Sequence, residues 1–221
     1  MSAVNPQPID PSTEPAPPKR PRRRGRDLEE AIFAAAFAEI AETSFADLSL
    51  EKVAARAGAG NASLYRRWAN TTELVLAALA SLDAAAVIHQ RLDNGELRAD
   101  LIEILTGLVA ILDTTAGRAF RSLLTQPERH PDLHAKVLAL FVQPGEEVIA
   151  DVFRAASDRG EIDHRVITPL LVSSGPQLVL GQHIAAGRVT ESEITAIVDE
   201  MILPAAARIP LALTTGESDR T

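Results

Sequence analysis

Apolar residues recur along most of the chain at helical spacing, and no convincing stretch alternates as a half-buried strand would. Leu28, Ile32, Ala36 and Ile40 fall every four residues, and Phe33 and Phe37 widen the stripe, so a first helix is expected over about 27–43. Asp27, Glu29 and Glu30 lie in its first turn, where the helix dipole favours them. Phe45 follows in a turn and is expected to pack beneath the next helix. Ser49 is a good N-cap for a helix from Leu50 to Ala57 with Val53 and Ala54 inward, and Gly58 stands where a glycine ends such a helix. A short helix over about 61–68 comes next. Asn70-Thr71-Thr72-Glu73 then gives a capping-box-like start, with Asn at the cap, to a helix reaching about residue 91.

Asn94-Gly95 marks a break. Helical patterns resume over about 97–112 and 116–124, and a long one covers about 131–159, interrupted by Pro144-Gly145. Thr168-Pro169 reads as a cap followed by proline in the first helical position, opening a helix to about 186 with a kink expected at Gly175-Pro176. Thr190-Glu191-Ser192-Glu193 is a capping box for a last helix ending near residue 208, and the polar tail over 211–221 is expected to fray. The expected fold is all-α with nine helices: a tail and basic arm over 1–26, a three-helix unit over 27–71, and a larger helical domain over 72–210.

Composition agrees with helices. Apolar residues make up 46 % of the chain but aromatics only 4 %, leaving alanine and leucine to fill the core. No window is apolar for the roughly eighteen residues a transmembrane helix needs. The proline-rich, then basic start has no apolar segment of the kind a secretory signal requires. With no cysteine there are no disulfides or thiolate metal sites, which is compatible with the cytosol. Seven of the fourteen prolines fall in the first 21 residues, and disorder is expected up to about Arg24.

The net charge of −8 is unevenly divided. Residues 19–70 carry ten Lys/Arg against seven Asp/Glu, a net +3, whereas residues 71–221 carry twelve against twenty-one, a net −9. Only the N-terminal part suits a polyanion. The string from Leu48 to Trp68 reads as helix, glycine turn, short helix, and the second helix is of a size to enter a DNA major groove. Lys19, Arg20, Arg22, Arg23, Arg24 and Arg26 lie just upstream.

Each residue of this string has an expected role. Asn61, Ala62 and Ser63 open the reading helix, where Asn61 can pair with adenine and Ala62 can touch a thymine methyl. Tyr65, Arg66 and Arg67 are expected on phosphates, which fix register rather than read sequence. Leu64 should point into the core, and Trp68 divides between core and a phosphate contact through its indole N–H. Ser49 and Asn70, with Thr71 beside it, stand at helix starts whose free N–H groups attract phosphate. Arg22, Arg23, Arg24 and Arg26 form an arm that lies along phosphates or enters a minor groove.

Other chemistry is weaker. Gly58-Ala59-Gly60 lacks the Gly-Lys-Ser/Thr and the preceding strand of a phosphate loop. His130 and His134 have metal-like spacing, but Pro131 separates them and no third ligand is evident, so no metal and no cofactor is expected. Ser173-Ser174-Gly175 has no strand-turn-helix context, and no carboxylate pair suggests acid–base work, so an enzyme is not expected. Phe120, Phe141, Phe153 and Gln177 are candidates to line a ligand cavity, the last because a proline kink beside it opens space. Few aromatics and no evident buried charge lean towards an apolar ligand, neutral or weakly cationic.

Over about residues 27–79 the chain resembles the TetR family of bacterial transcriptional regulators. The likeness rests on Leu48-Ser49-Leu50-Glu51-Lys52-Val53-Ala54, Ala57-Gly58-Ala59, Leu64-Tyr65-Arg66-Arg67-Trp68 and the capped fourth helix with Glu73-Leu74. It implies a cytoplasmic homodimer whose last two long helices, about 168–186 and 191–208, dimerise. It further implies double-stranded DNA with a palindromic operator as partner, and repression relieved when a small molecule in the larger domain tilts the fourth helix. Gly60 departs from the family's usual capping serine, and Asn61 and Thr71 stand where lysines are common; the arginine arm is expected to compensate. A regulator without a small-molecule effector, and more remotely a helical-bundle enzyme, are the alternatives.

Overall fold

The computed structural model describes residues 25–82, 95–125 and 128–207, the Phe141 side chain excepted. The expectations for Arg22, Arg23, Arg24, the Phe141 side chain, the far end of the fourth helix and the tails lie outside those residues. Among the described residues all regular structure is helical.

The head is built from α1 (Arg26–Glu42), α2 (Leu50–Ala57), α3 (Asn61–Tyr65) and the start of α4 (Thr71–Ala80). Ser49 caps α2 as expected, its hydroxyl accepting from the Lys52 N–H at 3.2 Å. Gly58 ends α2 in the left-handed region, φ 68° and ψ 29°, which lets Ala59 N–H reach back to Ala54 C=O at 2.9 Å. Ile32, Ala36 and Ile40 of α1 are buried against Val53, Ala54 and Leu64. The reading helix is shorter than the pattern suggests: it ends at Tyr65, where the N–H groups of Arg67 and Trp68 converge on Leu64 C=O. Trp68 is thereby turned into the core, its ring 5.7 Å from Phe33.

Six further helices form the body: α5 (Leu97–Leu112), α6 (Thr115–Leu124), α7 (Pro131–Val137), α8 (Gln143–Asp158), α9 (Pro169–Ala186) and α10 (Glu191–Ala196), with a last short α11 (Leu203–Ala206). Helices α7 and α8 form one rod, joined by a π-helical stretch Leu138–Val142, and α10 and α11 form another, joined by a π-helical stretch Ile197–Ile202. Each wide turn ends two residues before a proline, Pro144 or Pro204. Proline cannot donate to the carbonyl four residues back and its ring crowds it, so the ladder slips outward instead of breaking. Nine helical rods result among the described residues. α9 runs through Pro176 to Ala186, with Thr168 accepting from Leu171 N–H at 3.2 Å as its cap. The capping box at Thr190 and Glu193 is formed in both directions.

The buried apolar residues fall into two clusters, and the first does not stop at the head. Ala119 and Leu123 of α6, with Leu133 and Val137 of α7, belong to the same core as α1–α4. Phe120 packs against both clusters. Gly117 sets α6 tightly on the end of α5: a Cβ there would overlap Ile111 O and fall 2.6 Å from Leu112 Cα.

Candidate nucleic-acid interface and ligand cavity

The start of the reading helix is open to solvent. Asn61 and Ala62 are exposed and Ser63 half-buried. Gly60 supplies no side-chain cap; Ser63 N–H bonds to its carbonyl at 2.8 Å, which closes the first turn without one. Leu64 is fully buried, as its spacing requires. Tyr65 is 52 % exposed and donates its hydroxyl to Glu51. That bond is the main cause holding the Glu51 carboxyl below its ordinary range, and it raises the Tyr65 phenol in return.

The head's cations differ in how they are engaged. Arg56 is clamped on Glu39, at 2.7 Å, and on Glu42. Lys52 donates to Asp47 C=O at 2.8 Å. Arg67 pairs with Glu29 at 2.8 Å and lies 6.0 Å from the Trp68 ring centroid. Arg26 pairs with Glu30 at 3.1 Å in full solvent. Arg66 is exposed and has no ion pair among the described residues. Of the two arginines expected on phosphates, Arg66 therefore reaches solvent unengaged, and Arg67 must first exchange its carboxylate.

Trp68 is 8 % exposed, so of its two expected roles the structure places it in the core. Asn70 caps α4, accepting from Glu73 N–H at 2.9 Å, while Glu73 accepts from Ala69 N–H at 2.8 Å. Thr71 is half-buried beside them. The Glu73 carboxylate thus already occupies part of the positive end of α4, a competitor the sequence reading did not weigh.

In the body, a cavity of about 350 Å³ opens between α5, α6, the α7–α8 rod and α9. Phe120 and Gln177 lie on its wall. Phe153 does not: it is fully buried in the second core cluster, a correction to its expected place on the wall. The sequence reading missed the rest of the lining, including Leu108, Leu138, His134 and Glu146. The one available signal for Glu146 was its place directly after the Pro144-Gly145 interruption. A group of three or more His, Cys, Asp or Glu able to hold a metal is absent among the described residues.

A buried polar link lies near this cavity. His183 of α9, 2 % exposed, sits 2.8 Å from Asp113 Oδ1 through Nε2 and 2.8 Å from Arg121 Nη1 through Nδ1. Guanidinium can only donate, so a His183 ring nitrogen accepts from Arg121, whose Nη1 lies 2.8 Å from Nδ1 and 3.2 Å from Nε2. The same Arg121 nitrogen also donates to Leu112 C=O at 2.8 Å. Burial lowers the Arg121 guanidinium from its usual value and Asp113 opposes that shift. The link ties the end of α5 to α6 and α9.

Large apolar side chains remain uncovered on α9 and the last rod: Leu170 is 75 % exposed, Met201 58 % and Ile184 51 %. Leu170, Ser174, Leu178, Gly181 and Ala185 follow one another along one side of α9. No helix among the described residues is long and apolar enough to cross a membrane.

Comparison with known proteins agrees with this geometry. Residues 32–78 match the family model of bacterial regulatory proteins of the tetR family, and residues 91–201 match the tetracyclin repressor-like C-terminal domain. An uncharacterized HTH-type transcriptional regulator of Mycobacterium tuberculosis is 29 % identical over 209 residues, 94 % of this chain and 96 % of that protein. The DNA-binding transcriptional repressor TetR of Mycobacteroides abscessus is 26 % identical over 180 residues, 81 % of this chain and 94 % of the relative. Among solved structures, the SmeT–triclosan complex superposes with a TM-score of 0.65 at 18 % identity, over 84 % of this chain and 94 % of SmeT. The chain belongs to the TetR family of helix-turn-helix transcriptional regulators and is not an enzyme.

Proposed function

We propose that this chain is a homodimeric repressor that binds a palindromic operator and is released when a small molecule fills the cavity of the body. The observation that carries the coupling is Phe120. It stands on the cavity wall and packs against both the head's core and the body's core. A ligand that displaces Phe120 moves α6, and α6 packs along α1 of the head. The π-helical stretch that supplies Leu138 and Val142 to the wall also packs on α4, giving a second route to the tilt expected of that helix. Coupling of this kind requires the ligand to favour one arrangement, by about 1–3 kcal/mol.

The uncovered apolar side of α9, with Met201 and Ala205 on the last rod, is the face for a second copy. Two heads related by a two-fold axis then read half-sites about 34 Å apart in the cytoplasm. Asn61, Ala62 and Ser63 meet base edges, and Tyr65, Arg66 and Arg67 meet phosphates, with Ser49, Asn70 and Thr71 at the flanking helix starts. Arg22, Arg23, Arg24 and Arg26 extend the phosphate contacts. The repressor of Mycobacteroides abscessus and the triclosan-bound SmeT support repression and ligand binding by likeness.

The test is selection of bound duplexes from a random pool at about 150 mM salt, followed by the number of chains per selected duplex. A two-fold symmetric site holding an even number of chains is expected. Equal weak binding to every duplex, or one chain per asymmetric site, contradicts the proposal.

A further inference from the structure

We infer that the cavity takes a lipophilic molecule carrying a single positive charge, with Glu146 as its partner. The inference rests on the reading of this cavity as the effector site, and it assigns the ligand's chemistry. Ile104, Leu108, Leu112, Phe120, Leu138 and Leu180 give the cavity an apolar body. Its volume, about 350 Å³, falls in the range of sites that enclose small organic molecules. Three polar side chains line it: His134 from α7, Gln177 from α9 and Glu146 from the first turn of α8. No lysine or arginine is among the described lining residues. Arg121, next to the lining residue Phe120 in sequence, is committed to His183 and Leu112 C=O.

Glu146 is half-buried and has no hydrogen bond or ion pair among the described residues, whereas Glu39, Glu51 and Glu73 of the head are engaged by arginine, tyrosine and backbone N–H respectively. A carboxylate facing an apolar chamber without a partner discriminates by sign. An anionic ligand meets a like charge at close range with no arginine to offset it. A neutral ligand gains only the apolar contact. A cation gains the apolar contact and a charge-assisted partner on the cavity wall. The surplus of negative charge over residues 71–221 draws cations towards the body in the same sense.

The probes are three molecules with the same ten-carbon chain, each used below its micelle concentration on the full-length protein: decyltrimethylammonium, decanol and decanoate. Binding is read by calorimetric titration. The cation should bind about tenfold tighter than decanol, equivalent to about 1.4 kcal/mol, and decanoate should bind weakest. Glu146→Gln should remove the cation's advantage and leave decanol unchanged. Leu108→Trp, which fills the chamber, should block cation and alcohol alike. Decanol or decanoate matching the cation, or Glu146→Gln keeping the preference, overturns the charge assignment while leaving the cavity as a ligand site. No saturable binding of any probe, or binding untouched by Leu108→Trp, overturns both.

Discussion

The head and the cavity of the body use charge differently, although head and body alike carry internal ion pairs. In the head, Arg56 meets Glu39 and Glu42, Arg67 meets Glu29, and Tyr65 meets Glu51, so most charged groups are satisfied internally. Arg66 is exposed and has no ion pair among the described residues. In the body, the mostly apolar cavity keeps Glu146 without a partner among the described residues. The contrast separates a part that must hold one shape from a part that must respond. A head that presents the same residues to every duplex gains from internal pairing. On the proposed function, a chamber that senses a charged molecule needs space and an unspent charge. Phe120 and Gly117 lie where the two meet.

The contrast breaks most severely at Trp68. If it is core, Trp68→Ala should cost about 4 kcal/mol of stability, read as a lower urea midpoint, and DNA binding should fall with it. A stable Trp68→Ala protein that merely binds DNA less tightly would return the residue to the interface. Gly117→Ala comes next. With the backbone of Ile111 and Leu112 in the way, it should cost about 3 kcal/mol and alter ligand binding and DNA binding together, because it displaces α6 from α5.

Arg66 and Arg67 sharpen the head's side of the comparison. Arg66→Ala should weaken binding to all duplexes about tenfold and lower the salt-dependence slope by about 1, without loss of stability. Arg67→Ala should do less, since its phosphate contact is made at the expense of Glu29. Anisotropy titrations at several salt concentrations distinguish the two, and equal effects would mean the Glu29 pair is already open in solution. Smaller still, Ser49→Ala and Asn70→Ala should each lower stability by about 1 kcal/mol in urea unfolding.

The smallest effect is on acid stability. Glu42 and Glu51 are held below their ordinary range, first by hydrogen bonds from Arg56 and from Tyr65 respectively. Their contribution is whole above the ordinary carboxyl value and is lost as pH falls through the lowered ones. Tyr65→Phe should therefore flatten the decline in stability on the acid side, slightly, in melts taken from pH 6 downwards.

The head was largely legible because its signals are local. Ser49, Gly58, Asn70 and Glu73 set helix ends through bonds to neighbours three to five residues away. The length of α3 was not, since it depends on Trp68 finding Phe33 across the fold. The cavity was legible only at Phe120 and Gln177. Its wall is assembled from four rods, and single-helix periodicity cannot distinguish Phe120, facing space, from Phe153, facing core. Pro144 signalled interruption, but a π-helical stretch before it lets the rod continue, as another does before Pro204 in the last rod. The His183 link had no local signal, because Asp113 and Arg121 lie about sixty to seventy residues away in sequence.

The most direct measurement is the distance between the two heads of the proposed dimer when the cavity is filled. The chain has no cysteine, so Ala55→Cys on the exposed side of α2 takes a single spin label per chain. Distances would be compared with and without Leu108→Trp, alongside affinity for the selected operator. We predict a shifted distance distribution and weaker operator binding in the filled protein, with its stability retained. An unchanged distribution and unchanged affinity would contradict the claim that the chamber in the body controls the head.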